Sequence, residues 1–223
     1  MKKLLTLLVA IASFLTVSAS AQEVTANVGY QSKQIEFGQV IDSKGSFNVG
    51  ANVAAYNFDL GLNAKNYVSN LKDKVARIDV LADYAFTAPI ADLKVGMDLA
   101  YLRHPALNDV KYHPRPFVYF GKDFLNVVAN YDTKSELANI EVNASKTFPL
   151  YGAIGLKPGV FVGYTDVSNE LPKSVKSIQY KNGYLGGSMS LVFKGLSVGA
   201  EALHNGKLNA NTLAWNAGYS LKF

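Results

Sequence analysis

From Leu213 to Phe223 every second residue is apolar. Leu213, Trp215, Ala217, Tyr219, Leu221 and Phe223 lie on one side of an extended chain, and Thr212, Ala214, Asn216, Gly218, Ser220 and Lys222 on the other. Successive side chains of a strand point to opposite faces, so this segment has one apolar and one mostly polar face. The pattern recurs along the chain. In 75–86, Ala76, Ile78, Val80, Ala82, Tyr84 and Phe86 oppose Arg77, Asp79 and Asp83. In 93–102, Leu93, Val95, Met97, Leu99 and Tyr101 oppose Lys94 and Asp98. In 137–148, Ala138, Ile140, Val142, Ala144 and Phe148 oppose Asn139, Glu141 and Asn143, and in 196–204 Leu196, Val198, Ala200 and Ala202 oppose Glu201.

Alternation and turn residues together predict about twelve strands, with ten or fourteen as alternatives. The expected spans are 23–31, 46–56, 58–67, 75–86, 93–102, 115–121, 124–132, 137–148, 154–165, 178–193, 196–204 and 212–223. Most are near the ~9–11 residues that a tilted membrane strand needs. Two read less cleanly: 115–121 is apolar on both faces, and 178–193 reads as slipping phase near Tyr184 and Leu185, the mark of a bulge or of a strand extending beyond the membrane.

The connections alternate in kind. Asn57, Ala88-Pro89, Gly121 to Asp123, Pro149 to Gly152 and Lys194-Gly195 are tight, whereas 32–45, 68–74, 103–114, 133–136, 166–177 and 205–211 are mostly longer and more polar. Short periplasmic turns alternating with longer outer loops are the asymmetry of bacterial membrane barrels, and an even count then puts both termini in the periplasm. Aromatics segregate in the same way. Tyr30, Tyr67, Tyr101, Tyr131, Tyr164 and Tyr180 fall toward the long-loop ends, and Phe58, Phe86, Phe148, Phe193 and Phe223 at the short-turn ends. Rings with a polar edge are stable where hydrocarbon meets headgroups, so these two bands are expected to be membrane girdles.

Residues 1–21 have the form of a cleaved secretory signal peptide: Lys2-Lys3, an apolar run from Leu4 to Val17, and Ala19-Ser20-Ala21 before Gln22. The domain organisation expected is therefore a leader over 1–21 and a β-barrel over 22–223. Without the leader the formal net charge is about +3, and its basic residues are scattered, which gives no footprint for nucleic acid. There is no cysteine, so neither a disulfide framework nor a thiolate metal site is available. After residue 21 no long apolar run exists, so a membrane location requires strands rather than helices.

Alternation alone does not separate a membrane barrel from a soluble sandwich or lipocalin-like fold, since each buries one face. The charges on the polar face favour the barrel, which turns its apolar face to lipid and encloses the polar one with water. The residues expected to line that interior are Asn52, Asn63, Lys65, Arg77, Asp79, Asp83, Lys94, Asp98, Asn130, Glu141, Asn143, Lys157, Glu201 and Asn216, with Asp59, Asn126, Asp132, Asn139 and Lys222 beside them. Both signs are present, with a slight acidic excess. No ring of one sign announces an ion filter. Two readings follow, a polar eyelet or a salt-bridged, nearly closed interior.

An amphipathic terminal strand ending in Phe223 resembles the assembly signal of Gram-negative outer-membrane barrels, which implies recognition by the barrel-assembly machinery and residence among outer-membrane lipids and lipopolysaccharide. In length and strand number the chain resembles small monomeric porins such as the oligogalacturonate- and sialic-acid-channel family. That resemblance implies an antiparallel up-and-down barrel acting as a passive channel for a small hydrophilic solute. Those channels carry a strongly basic lumen, and this inward face lacks one. Val28-Gly29-Tyr30 and Phe37-Gly38-Gln39 are also similar to small porins of proteobacteria and some marine phages, in which an arginine precedes the glycine where this chain has Phe37.

Barrel enzymes of the phospholipase and lipid-A-deacylase kinds place a His beside a Ser, often as H-x-S, so that imidazole takes the hydroxyl proton. Here the histidines read His104-Pro105-Ala106, His113-Pro114-Arg115 and His204-Asn205-Gly206. No omptin-like set of paired aspartates with a His stands out either. His104 and His113 bracket the loop 103–114, where a metal site is conceivable, but no carboxylate or thiol completes a ligand set at a recognisable spacing. No cofactor motif appears. The expectation is a channel, with a non-conducting barrel whose loops 32–45, 103–114 and 166–177 bind a partner as the alternative and an enzyme third.

Overall fold

One apolar residue in two, kept in phase along each strand, gives a sheet whose two faces differ from edge to edge. Pairing the first strand with the last removes the free edges of such a sheet. The computed structural model describes residues 23–36, 39–42, 45–67, 76–87, 91–104, 109–167 and 181–223. The expected leader over 1–21 lies outside the described residues.

Among the described residues, twelve antiparallel strands form the barrel: β1 (Glu23–Gln31), β2 (Ser46–Ala55), β3 (Phe58–Tyr67), β4 (Ala76–Thr87), β5 (Asp92–His104), β6 (Asp109–Lys122), β7 (Leu125–Asp132), β8 (Leu137–Ser145), β9 (Ile154–Val167), β10 (Lys181–Phe193), β11 (Leu196–Asn205) and β12 (Ala210–Lys222). Each pairs with its neighbour in sequence, and β1 pairs with β12, as in Val28 opposite Tyr219. Carrying the register once around the ring from Val28 returns to β1 about sixteen residues along, the stagger of strands tilted by about 40–45°. Two short pieces add to the ring of twelve. Gln34–Glu36 pairs with Gln39–Asp42 as a separate hairpin, and Phe148–Tyr151 extends β9 by pairing with Ile154 to Leu156.

The tight turns lie at Tyr56-Asn57, Asp123-Phe124, Gly152-Ala153 and Lys194-Gly195. Lys194 and Gly195 both have positive φ, 42° and 86°, the conformation whose twist suits a two-residue hairpin. The two ends of the chain's barrel, Glu23 and Lys222, are on this short-turn side: Glu23 pairs with Ala54 and Lys222 with Thr25.

Three sequence expectations change. The segment expected as a loop over 103–114 is largely strand, with β5 continuing to His104 and β6 beginning at Asp109. Pro114 and Pro116 suggested a loop, yet both sit where the missing N–H is tolerated. Pro114 O accepts from Thr133 N at 3.0 Å, and since N–H and C=O of one residue share a side in the ladder, the absent N–H faces β7, whose pairing with β6 ends at Phe117–Asn130. The span 137–148 is interrupted at Lys146-Thr147, opposite Pro158, which cannot donate to Lys146. The slip expected near Tyr184 is absent: β10 keeps one register with β9 and β11, with Tyr184 buried and Leu185, Met189, Leu191 and Phe193 exposed. Tyr184 is an inward aromatic, which reads as a phase error when aromatics are assumed to face outward.

Candidate functional site

The barrel encloses the charged residues. Along β3 to β7 the inward side chains form a ladder of both signs. Arg77, only 5% exposed, donates from Nε to Asp79 Oδ1 at 2.5 Å, and its Nη2 lies 3.8 Å from Asp98 Oδ2. Lys65 Nζ is 4.0 Å from Asp79 Oδ2. Lys94 Nζ lies 2.5 Å from Asp59 Oδ2 and 3.5 Å from Asp83 Oδ1, as the pairing of Asp83 with Gly96 places it on the diagonal. Lys65, Arg77, Asp83, Lys94 and Asp98 line a cavity of about 960 Å³ with Arg115, Phe117, Tyr119, Asn130, Asn139 and Glu141. Asn63, on β3, pairs in register with Asp79 on the same face.

At the long-loop rim of this wall, Asp132 gathers four donors. His113 Nδ1 lies 2.9 Å from Oδ2 and Arg115 Nε donates to it at 3.1 Å, while Lys134 N and Ser135 N donate to Oδ1 at 3.0 and 3.1 Å. Register places His113 opposite Ala100, and His104 opposite Asp109, so the two histidines are not cross-strand partners. Among the described residues no cluster of three potential metal ligands forms.

The facing wall is built differently. On β8, Asn139, Glu141 and Asn143 point inward, and Tyr184 reaches them from β10, donating to Glu141 Oε2 at 2.8 Å and to Asn139 Oδ1 at 3.0 Å. Asn143 Nδ2 donates to Glu141 Oε1 at 2.9 Å, and Thr165 Oγ1 to Asn139 Oδ1 at 2.9 Å. Glu141, Asn143, Tyr184 and Glu201 line a second cavity of about 290 Å³. No cation lies within ion-pair distance of Glu141 or Glu201 among the described residues. Lys157 belongs to the inward set of β9, in register with Ser190, near the short-turn end. On the remaining wall, from β11 through β12 and β1 to β2, the side chains are mostly small and uncharged: Asn27, Asn48, Ser197 and Asn216 with Gly29 and Gly218 line about 330 Å³, Asn52 follows on β2, and the charges are Glu201 on β11 and, at the short-turn end, Lys222 paired with Glu23 at 2.5 Å.

The outer surface is apolar. Leu213 is 65% and Val160 63% exposed, with Val80, Val95, Met97, Leu99, Ile140, Val162 and Val198 also bare. Aromatics gather at its two ends. Tyr30 stacks between Phe47 and Trp215 at 4.7 and 5.0 Å, and Tyr101 meets Tyr112 at 5.3 Å, toward the long loops. At the short-turn end Tyr84 lies between Phe58 and Phe86 at 4.7 and 4.6 Å. Tyr131, Tyr164, Phe148, Phe193 and Phe223 are exposed as well. The side chain of Tyr67 and the whole of Tyr180 lie outside the described residues.

Reading the sequence alone misses Arg115, His113 and Phe117, whose inward positions depend on the outward series Tyr112, Pro114, Pro116, Val118 and Phe120 being continuous. It also misses Tyr184 and Ile35. The latter lines both cavities from the short hairpin, and no periodicity in 32–45 marks it.

No family model matches the chain, and no curated protein matches it in sequence. Solved structures match it in shape. The KdgM porin superposes with a TM-score of 0.56 at 12% identity, covering 90% of this chain and 99% of that one. A structure from work on the mechanism of in-meso crystallization of membrane proteins gives 0.55 at 12%, covering 91% and 84%. LpxR from Salmonella typhimurium gives 0.51 at 7%, covering 90% and 99%. At such identities the likeness is one of fold. With the apolar exterior and the enclosed charges, it makes the protein a β-barrel of the bacterial outer membrane.

Proposed function

We propose that the protein is a passive channel for small hydrophilic solutes. The observation that carries this reading is the cavity of about 960 Å³ walled by ionised side chains of both signs inside a barrel whose exterior is apolar. Ionised groups in that number are stable where water solvates them, and a watered lumen is a path for solutes. Asn52, Asn63, Lys65, Arg77, Asp79, Asp83, Lys94, Asp98, Asn130, Glu141, Asn143, Lys157, Glu201 and Asn216 are the wall of that path. Because Lys65, Arg77, Lys94 and Arg115 are already matched by carboxylates, the lumen discriminates weakly by charge, unlike a channel with a basic interior. In this reading the aromatic bands are girdles at the two interfaces, the short-turn end is periplasmic, and the barrel-assembly machinery reads the strand that ends at Phe223.

The barrel class holds enzymes as well as channels. His113 has a carboxylate partner, but among the described residues no hydroxyl is hydrogen-bonded to its buried Nε2, so no nucleophile is placed for it to activate. A non-conducting barrel is the second reading, favoured by the close pairing of Lys94 with Asp59 and Arg77 with Asp79. Purified protein in planar bilayers decides. Discrete conductance steps with weak ion preference support the channel, and an ion-tight barrel refutes it.

A further inference from the structure

We infer that Ile35 is the residue that narrows the channel, an apolar side chain held in the middle of a polar lumen by the first long loop. This rests on the channel reading. Ile35 is in the hairpin Gln34–Glu36/Gln39–Asp42, which does not pair with the barrel sheet. It lines the large cavity with Arg77, Asp98 and Arg115, and it lines the smaller one with Tyr184 and Glu201. Those residues belong to facing walls, so the side chain stands between them and divides the lumen.

The base of the loop sets this course. Ser32 N donates to Trp215 O at 2.8 Å, and Trp215 N donates to Ser32 Oγ at 2.9 Å, which ties the outgoing stem to β12. The returning stem turns at Gly45, which is buried with φ +87°. A Cβ there would stand 2.9 Å from the Tyr30 hydroxyl and closer still to Gln31 O. Both stems are thus fixed against the rim, and the hairpin between them carries Ile35 inward. An isoleucine in this position can neither pair with ions nor hydrate them. It shortens the polar cross-section and strips water from what passes, as apolar constrictions do.

The chain has no cysteine, so Ile35→Cys introduces a unique thiol. Its single channels are recorded before and after charged methanethiosulfonate reagents, with Val198→Cys on the lipid face as control and mass spectrometry to score modification. Conductance is expected to fall by about half on modification of position 35, while Ile35→Ala alone raises it about twofold. Ion preference should move toward cations with the sulfonate and toward anions with the trimethylammonium. Complete modification that leaves conductance and ion preference unchanged, in a wild type that conducts, overturns the role of Ile35 and leaves the channel reading standing. A wild type that is ion-tight while Ile35→Ala conducts refutes the channel reading and still supports Ile35 as the obstruction. If wild type and Ile35→Ala are both ion-tight, the channel reading fails and the constriction with it.

Discussion

Tyr184 reaches Glu141 by lying across Gly163. The three residues are in register on β10, β9 and β8, and the tyrosine hydroxyl donates to Glu141 Oε2 at 2.8 Å over a strand that has no side chain at that point. A Cβ at Gly163 would run into the Tyr184 ring. Gly163→Val is therefore expected to displace the ring into the lumen and cost about 2–3 kcal/mol. Tyr184→Phe keeps the ring in place and removes one donor from Glu141 and Asn139, for about 1 kcal/mol. Urea unfolding of the barrel in liposomes measures both, and equal costs for the two variants would contradict this geometry.

Asp132 closes the rim where the prolines of β6 interrupt the backbone ladder with β7. Its carboxylate accepts from Arg115, His113, Lys134 N and Ser135 N together. Asp132→Ala withdraws all four acceptor contacts at once and is expected to cost about 3 kcal/mol. Asp132→Asn keeps one oxygen and should cost about half as much. The unfolding midpoints of the two variants, relative to wild type, test that order.

Ion preference should respond to single changes in the charge ladder. Lys94 neutralises Asp59 and Asp83, so Lys94→Gln releases two carboxylates into the lumen and should raise the cation-to-anion permeability ratio about twofold. Glu201→Gln removes a carboxylate that has no cation within ion-pair distance among the described residues and should lower the ratio. Reversal potentials under a salt gradient give the sign directly. Shifts of the same sign in both variants would be inconsistent with these placements.

Most of the architecture can be read from period two. Arg77, Asp79, Lys94, Asp98 and Glu201 keep their inward positions because each belongs to a strand whose outward set is apolar without a break. The sequence is less legible where an inward residue is itself apolar or where the ladder is interrupted. Phe117 and Tyr119 line the lumen, so 115–121 reads as two-faced, and Tyr184 makes 178–193 read as slipped. The prolines of 109–116 pass for a loop because their tolerated edge, facing β7, is a property of pairing rather than of composition. Ile35 depends on how a loop folds back, which local pattern does not encode.

A charge on the outer face should be costly and one on the inner face cheap. Met97 stands outward near the middle of β5, so Met97→Arg is expected to cost about 2–4 kcal/mol in lipid. Asn216 is inward beside Asn27 and Ser197, and Asn216→Arg should cost less than about 1 kcal/mol. Unfolding free energies in the same liposomes compare the two, and a reversed order would place the faces the other way around.

The most direct measurement is a cysteine scan along β11 in liposomes, read by a water-soluble maleimide and by a lipid-phase nitroxide quencher of the attached probe. Ser197→Cys, Gly199→Cys and Glu201→Cys should react from water and resist the quencher. Leu196→Cys, Val198→Cys, Ala200→Cys and Ala202→Cys should be quenched from lipid. A scan with no alternation, or with the two sets exchanged, would contradict an aqueous interior enclosed by a lipid-facing wall.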